Sequence, residues 1–447
     1  MTHGPIQRII RTTTRIEPEE QKAVLLSFLF VFLLMAAYFI LRPVRNAMAS
    51  EWTDAELSLL WTTTFLFSLI AVSVYGGIIP RVKFRYLVPG VYVFFTLSFF
   101  AFYFGAATVE HRVWLDKAFY VWVSVFSLFH VSVFWSFMAD IYNRRQAPRL
   151  FAFIAAGASV GAITGPAVTV ALADVAGTEN LMLVSALMLL LPIPIIAALN
   201  RLKVTELGNA DVRADVSRQQ AIGRNPFGGF TLFFSNALLF GIGLFIFLYV
   251  SMGTFVYFGL KNLMEPYGAA AREQMWALID LTVNTLSVIT ALFVTGRLAP
   301  RLGMARTLAL VPAGIVAGFL TVAVAPMLAV VIGLEIARRA GNYAITRPGR
   351  EMLFTIVNRE IRFKAKPVID IVIYRGGDMF WSWVFTGLTA GVGLGMTGVA
   401  VVGATLALIW ATVAALVGGK YDRAAGEAAA PTAQLEGTLH DAKRVDL

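Results

Sequence analysis

Residues 23–49, AVLLSFLFVFLLMAAYFILRPVRNAMA, show the class of this protein most directly. The part from Ala23 to Leu41 carries no charged side chain, and it is close to the roughly 20 residues that a helix needs to cross a bilayer. Similar runs recur along the chain, in which 58% of residues are hydrophobic and the mean hydropathy is +0.72. Because the runs are continuous and do not alternate with polar residues, they indicate helices and not barrel strands. The sequence therefore predicts a polytopic, all-α membrane protein.

Twelve spans are predicted, in two sets of six. Hydropathy and helix-breaking residues place them at 23–49, 57–79, 86–106, 117–139, 150–173, 180–199, 232–258, 275–298, 304–325, 327–346, 366–391 and 395–417. A hydrophilic linker, 200–231, separates an N-terminal half, 1–199, from a C-terminal half, 232–419. The polar tail, 420–447, is predicted to be disordered. Two six-helix halves with a substrate site between them near the bilayer midplane are typical of the major facilitator architecture, and this is the predicted fold.

The distribution of cations predicts the orientation in the membrane. With the N-terminus placed inside, few lysines and arginines belong to the outward loops, whereas the opening stretch and the inward loops are rich in them. The outward set is Arg112, Lys117, Lys261 and Arg272. The positive-inside rule therefore predicts that both termini face the cytoplasm, in a bacterial inner membrane. The net charge of +10 follows mostly from this topology, so no nucleic-acid partner is needed to explain it.

Several motifs that suggest enzymes have simpler explanations here. Residues 157–161, GASVG, match G-x-S-x-G, but they lie within a predicted span and not on a strand-to-helix turn, so we expect helix packing and no hydrolase. The chain has no Walker A motif, no cysteine and four histidines, of which His130 alone lies in a span. We therefore predict no enzyme, no cofactor and no metal site, and a packing role for His130. A monomer is compatible with the sequence.

Charges inside the predicted spans mark candidate binding residues, because a charge in the bilayer is costly and usually faces protein or a wet cavity. Each group also allows a purely structural ion pair. Arg42 and Arg45 are like charges on one helical face with no acid nearby in sequence, which favours an anionic ligand. The groups are Tyr38, Arg42, Arg45 and Asn46 in span one; Asp280, Asn284 and Ser287 in span eight; Glu335, Arg338, Arg339 and Asn342 in span ten; and Asp370, Tyr374, Arg375 and Asp378 in span eleven.

One charged segment resembles a known family. Residues 342–370, NYAITRPGREMLFTIVNREIRFKAKPVID, look like the corresponding segment of the ATP/ADP translocases of plastids and intracellular bacteria, with a Tyr-Ala, a Pro, a basic-Glu-Met, alternating lysines and an Ile-Asp. Residues 38–46, YFILRPVRN, resemble the family's first-span motif, and Val133-Phe134-Trp135 with Arg149-Leu150-Phe151 give a third match. The resemblance implies an antiporter that exchanges nucleotides or other phosphorylated metabolites without hydrolysing them.

The resemblance also implies roles for individual residues. Arg42 and Arg45 would bind anionic groups, and Lys366 would be the cation of the second half. Arg350 and Glu351 with Lys364 and Asp370 would form the inner-gate region. Apart from this resemblance, Arg375 and Asp378 of span eleven are further gate candidates. The fifth-span residues Gly157, Gly161, Gly165 and Pro166 resemble the antiporter motif of drug exporters and are expected to act in conformational change.

The chain also departs from the family pattern. Pro43 and Asn46 stand where the family motif has acids, and span seven has Tyr257 and Phe258 about where the family has a functional glutamate. Two alternatives therefore stay open. The first is a proton-coupled exporter of drugs, amphipathic metabolites or lipids, with Asp280 or Glu335 as proton carrier. The second is a transport-dead membrane sensor or scaffold.

Overall fold

The computed structural model describes residues 16–78, 82, 84–109, 111–143, 145–209, 233–290, 296–354 and 368–445. These residues form helices, turns and bends, and no strand occurs in the described ranges, as the predicted fold class requires. The helices of the N-terminal part are α1 Gln21–Met48, α2 Asp54–Ile78, α3 Phe84–Thr108, α4 Val113–Ile141, α5 Ala147–Leu190 and α6 Pro192–Thr205. Gly177 interrupts α5 with φ 73° and ψ 165°, in the gap predicted between spans five and six. Glycine tolerates such a positive φ without the steric cost of a Cβ atom.

The C-terminal part is less regular. Its helices are α7 Ala237–Met264, α8 Ala269–Thr290, α9 Gly296–Val324, α10 Leu328–Gly341, α11 Arg347–Leu353, α12 Tyr374–Thr386 and α13 Met396–Val445. Three π-helical segments, Asn342–Thr346, Val368–Ile373 and Gly387–Gly391, adjoin α10, α11 and α12. The tenth and eleventh predicted spans are therefore broken helices. The backbone of α13 also stays helical through the tail that was predicted to be disordered, where alanine-rich sequence favours helix.

Eight described helical segments are long and apolar enough to cross a membrane. They are Gln21–Glu51, Tyr86–Thr108, Val113–Ile141, Arg149–Val175, Gly177–Thr205, Ala237–Met264, Arg301–Val324 and Met396–Ala424. Of the other predicted spans, the tenth and eleventh are divided by π segments, and α8 carries Arg272, Glu273 and Asp280. These interruptions coincide with most of the charged candidate residues, and polar groups at bilayer depth are tolerated where protein surrounds them.

The chain divides into two compact units that do not follow the sequence halves completely. Unit 1 consists of Met1–Ser217 with Lys261–Thr285, and unit 2 consists of Arg218–Leu260 with Leu286–Leu447. The segment Lys261–Thr285, which contains most of α8, therefore belongs with the N-terminal helices, although the sequence predicts it in the C-terminal half.

Close packing of α1 against α5 forms the centre of unit 1. A Cβ atom at Gly157 or Gly165 would lie 2.5 Å from the carbonyl oxygen of Phe28 or Ala36, and one at Gly161 would overlap the carbonyl oxygen of Phe32. Small residues at this spacing let two helix backbones approach closely, as in many membrane helix pairs. The glycine stripe is thus explained by packing, which agrees with the expectation that residues 157–161 are not a nucleophile motif.

Polar contacts fasten the segment Lys261–Thr285 to the first two helices. Lys261 is 3% exposed, and its ammonium group lies 2.9 Å from Asp54 Oδ1 and donates to the carbonyl oxygen of Trp52 at 2.6 Å. Arg272 Nη2 contacts Glu51 Oε1 at 2.8 Å. These residues come directly after α1, so the contacts explain why α8 clusters with the N-terminal helices.

Two glutamates just outside the predicted spans have pKa values shifted in opposite directions. Glu273 is 1% exposed and accepts a hydrogen bond from the Thr178 hydroxyl, and burial raises its pKa to about 7. The Glu56 side chain is 43% exposed. Its hydrogen bond from Lys117, together with the bonds from Thr53, lowers its pKa to about 2. The two carboxyl groups must therefore contribute to stability with opposite dependence on pH.

The glycine stripe predicts a contrast between two identical substitutions. Gly161→Ala should lower the melting temperature of the purified protein by several degrees, because overpacking costs about 1–3 kcal/mol. Gly90→Ala is the matched control in α3, where an added Cβ meets nothing within 4 Å, and it should leave the melting temperature unchanged or raise it. Equal melting temperatures for the two variants would contradict the packing role of Gly161.

The shifted pKa values predict opposite effects of pH on two variants. The proton that Glu273 retains in the folded state stabilises the fold below about pH 4.5, and this contribution is lost as the pH rises through about 7. Glu273→Gln should therefore exceed the wild type in melting temperature at pH 8, with the difference shrinking towards pH 5. Glu56 stabilises the fold above about pH 4.5, a contribution lost as the pH falls towards 2. Glu56→Gln should accordingly melt below the wild type at pH 8. A Glu273→Gln variant that is less stable than the wild type at pH 8 would refute the assignment.

Candidate binding site

One face of α1 presents the polar candidates of the first span. Tyr38, Arg42 and Arg45 follow one another at intervals of four and three residues and are partly exposed, whereas the residues between them are buried. This spacing places them on one side of the helix, as the sequence predicts. Partly accessible arginines within a membrane-spanning helix indicate a protein-lined or water-filled space beside this face.

Arg42 has an acidic partner that its sequence neighbourhood does not reveal. Its Nη1 atom lies 3.3 Å from Oδ1 of Asp280 in α8, and the guanidinium group lies 5.6 Å from the centre of the Phe39 ring. The Asp280 side chain is 0% exposed and that of Arg42 is 17% exposed. The sequence shows no acid near Arg42 in the chain, and the fold of unit 1 brings a distant carboxylate to it.

Arg45 is held by neutral groups. Its Nη2 and Nε atoms donate to Oδ1 of Asn46 at 2.8 and 3.2 Å, and Nη1 donates to Oγ of Ser124 at 3.0 Å. The guanidinium group also lies 5.1 Å from the centre of the Tyr120 ring, within the range of a cation–π interaction. Asn46 is 1% exposed and acts here as a support for Arg45. These contacts orient the guanidinium group while leaving its charge in place.

An aromatic stack lies beside this face of α1. The Tyr38 and His130 rings are 4.6 Å apart at 31°, and His130 stacks on Phe126 at 5.1 Å and 29°. His130 is 3% exposed, and its Nδ1 donates to the carbonyl oxygen of Phe126 at 3.2 Å. His130 thus occupies the packed position that the sequence predicts.

A second charged cluster lies in unit 2, on α10. Arg338 donates to Oε2 of Glu335 from Nε at 3.0 Å and from Nη2 at 2.7 Å, and its Nη1 donates to the Tyr249 hydroxyl at 3.3 Å. Arg339 Nε lies 3.8 Å from Oε1 of the same glutamate. All three charged residues are buried. The structural ion pair that the sequence allows for Glu335 is therefore formed within one helix.

The gate candidates are placed near the π segments. Arg350 donates to Glu351 at 2.8 Å in α11, and Arg375 Nη1 lies 3.6 Å from Oδ2 of Asp378 in α12. Asn342 begins the first π segment. Asp370 has its backbone in the second π segment, but its side chain is outside the described residues, as are Lys364 and Lys366.

The amide nitrogen of Asn284 donates to the carbonyl oxygen of Ala162 at 2.7 Å, so this group is directed to α5 and not to the charged cluster of unit 1. It therefore links α8 to α5, close to the glycine stripe.

Three residues of these clusters escape reasoning from sequence. Tyr120 and Ser124 support Arg45, and Tyr249 contacts Arg338. The one sequence feature that could have identified them is a polar side chain within an apolar span, and Tyr120 and Ser124 are one helical turn apart. Such residues are common in spans and most often bond to their own helix, so the pattern is too weak to identify them.

The two clusters have the same charge balance. In unit 1, Arg42 pairs with Asp280, and Arg45 lies about one turn further along the same face of α1. In unit 2, Arg338 and Arg339 both contact Glu335. Each cluster therefore holds two guanidinium groups and one carboxylate. In the described part of the chain, no group of three or more histidine, cysteine or acidic residues could hold a metal ion. The chemistry available in both clusters is binding of anionic groups through hydrogen-bond donors.

Comparison with known proteins assigns the chain to a family. A model of the Major Facilitator Superfamily matches residues 27–344, and a comparison with curated proteins gives no match. Similar solved structures include a D-xylose–proton symporter (TM-score 0.61, 12% identity, 87% of this chain and 96% of that one) and the nucleoside transporter NupG (0.60, 12%, 90% and 99%). Another is a bacterial homolog of the human lysosomal transporter Spinster, inward-facing and unoccupied (0.55, 12%, 92% and 97%). At this identity the structures establish the fold alone. The family match covers more than half of the chain, which therefore belongs to the Major Facilitator Superfamily and is a secondary transporter.

Proposed function

We propose that this transporter carries small organic anions, and that nucleotides or other phosphorylated metabolites are its substrates. The observation that carries the proposal is the surplus of guanidinium groups at bilayer depth, with two arginines to one carboxylate on α1 and α8 and again on α10. A surplus of positive charge within a membrane-spanning region is costly in an empty carrier. An anionic substrate reduces this cost when it binds, which makes its binding favourable.

The type of cation supports phosphate or carboxylate as the charged group of the substrate. A guanidinium group presents a planar fork of donors that matches the oxygens of these anions in pairs. Arg45 is already oriented by Asn46 and Ser124, so little freedom is lost when it binds an anion. We propose Tyr38, Arg42 and Arg45 as the substrate-binding residues of unit 1, with Asn46 acting through Arg45, and Arg338, Asn342 and Lys366 as those of the C-terminal half.

The preference for nucleotides rests on sequence. The segment 342–370 and the motif 38–46 resemble the ATP/ADP translocases, with the acids of the first-span motif replaced by Pro43 and Asn46. This replacement keeps the two cations Arg42 and Arg45 but removes the negative charges next to them. We therefore propose a phosphorylated or otherwise anionic metabolite as substrate class, with exchange of one anion for another as the mode of transport.

Alternating access would involve the segments that adjoin the broken helices. Arg350, Glu351, Arg375 and Asp378 pair within their own helices next to π segments, where small changes of backbone register are easiest. We propose that these pairs rearrange when the carrier changes its accessible side. The cation distribution in the loops supports an inner-membrane location with both termini in the cytoplasm.

A second candidate is proton-coupled transport, and the Arg42–Asp280 pair favours it. A buried carboxylate beside an arginine in a membrane-spanning region is a common arrangement for proton uptake and release. In that case Asp280 would bind a proton when Arg42 leaves it and contacts another group.

The mode of transport is tested in liposomes. We expect uptake of a labelled nucleotide to require an anionic metabolite inside the vesicles and to persist after a protonophore collapses the pH gradient, because exchange moves one anion against another. Vesicles without protein and vesicles without internal anion serve as controls. Uptake that stops with the protonophore and returns with an imposed pH difference would instead support proton coupling.

The binding role of the arginines is tested by affinity and stability measured on the same proteins. Arg42→Gln and Arg45→Gln should each weaken binding of a stabilising metabolite by roughly tenfold to a hundredfold, because a hydrogen bond to a charged group contributes about 1.5–3 kcal/mol. Arg45→Lys should be milder, since it keeps the charge. Arg112→Gln, which removes an exposed pair with Glu179, is the matched control and should leave affinity unchanged. Unchanged affinity in both Arg42→Gln and Arg45→Gln would exclude these residues from the site.

A further inference from the structure

The pair between Arg42 and Asp280 differs from the Arg338–Glu335 pair of unit 2. Arg338 and Glu335 are neighbours on one helix and make two hydrogen bonds, at 3.0 and 2.7 Å. Arg42 and Asp280 belong to different helices, and their closest approach is 3.3 Å. Charge-assisted hydrogen bonds usually measure about 2.7–2.9 Å. The Arg42–Asp280 contact is therefore the looser of the two pairs.

The surroundings of the pair are asymmetric. Asp280 is 0% exposed and belongs to a helix that Arg272, Glu273 and Asn284 fasten to the N-terminal helices, so its carboxylate stays in place. Arg42 is 17% exposed and lies on the accessible face of α1, next to Arg45. A small anion that reaches this face can approach Arg42, whereas it cannot approach Asp280. Such an anion must compete with Asp280 for the same guanidinium group.

We propose that Asp280 is an internal counter-anion, which pairs with Arg42 in the empty carrier and is displaced from it by the anionic group of the substrate. This inference rests on the proposed function, since it assigns Asp280 a role in the same anion site. Asp280 then sets affinity by competition and does not contact the substrate. It also lowers the positive charge of the empty site from two to one, which reduces the electrostatic cost of a carrier without substrate.

Inorganic phosphate tests this assignment without knowledge of the natural substrate. We expect phosphate to stabilise purified Asp280→Asn protein against thermal unfolding at a concentration at least about tenfold below that needed for the wild type. Removal of the competitor leaves Arg42 to the added anion, and a tenfold change corresponds to about 1.4 kcal/mol. A ligand that binds only the folded state raises its stability in proportion to the logarithm of its concentration over its Kd.

Two further variants make the result specific. The double variant Arg42→Gln/Asp280→Asn should lose the enhanced phosphate response, because it lacks the guanidinium group. Gln274→Ala, which removes the contact of α8 with Asp174, controls for a general loosening of this helix and should respond to phosphate as the wild type does. If Asp280→Asn does not fold on its own, phosphate throughout purification should restore folded protein, and the double variant should not require it.

An Asp280→Asn variant that responds to phosphate no better than the double variant would overturn the proposal, as would a folding defect that phosphate does not correct. These outcomes would leave Asp280 a purely structural partner of Arg42. They differ from failure of the proposed function, in which Arg42→Gln and Arg45→Gln bind metabolites as the wild type does.

Discussion

The absence of water in the bilayer is the constraint on which this structure depends. Every backbone group must be bonded within the protein, which allows only helices among the described spans, and every charge at bilayer depth needs a compensating group. The arginines of α1 show two ways of meeting this requirement. Arg42 takes a carboxylate from α8, and Arg45 takes neutral oxygens and an aromatic face. Asp280 brings one negative charge to a helix face that carries two guanidinium groups, and this difference in charge is the basis for proposing an anionic substrate.

Glycine and polar contacts serve opposite purposes within unit 1. The stripe at Gly157, Gly161 and Gly165 brings the backbones of α1 and α5 together without any side chain between them. The ion pairs of Lys261 and Arg272 lie after α1 and involve long, flexible side chains. Packed backbones resist change because interiors are dense. The Lys261 pair is buried and costly to break, whereas Glu51 in the Arg272 pair is 53% exposed, so water can replace that contact at a smaller cost. A transporter needs both properties, since its helices must stay intact while some contacts between them break.

The irregular helices of unit 2 occur where the charged segment begins and ends. A π segment inserts one extra residue into a turn and changes the face that the following residues present. The segments Asn342–Thr346 and Val368–Ile373 lie at the two ends of the stretch 342–370, which resembles the ATP/ADP translocases. Arg338, one helical turn before the first of them, forms a tight local pair with Glu335. The order of these features along the chain places a rigid ion pair next to a backbone that can shift its register.

The sequence by itself determined the membrane class, the order of the spans, the shared face of Tyr38, Arg42 and Arg45, and the local pairing of Glu335 with Arg338. All of these follow from composition or from the repeat of a single helix, which depends only on residues a few positions apart. Tertiary structure alone decided that Asp280 neutralises Arg42, that Tyr120 and Ser124 support Arg45, and that Lys261–Thr285 joins the N-terminal helices. Those contacts join residues far apart in the chain, and helix periodicity carries no information about which face of one helix meets which face of another.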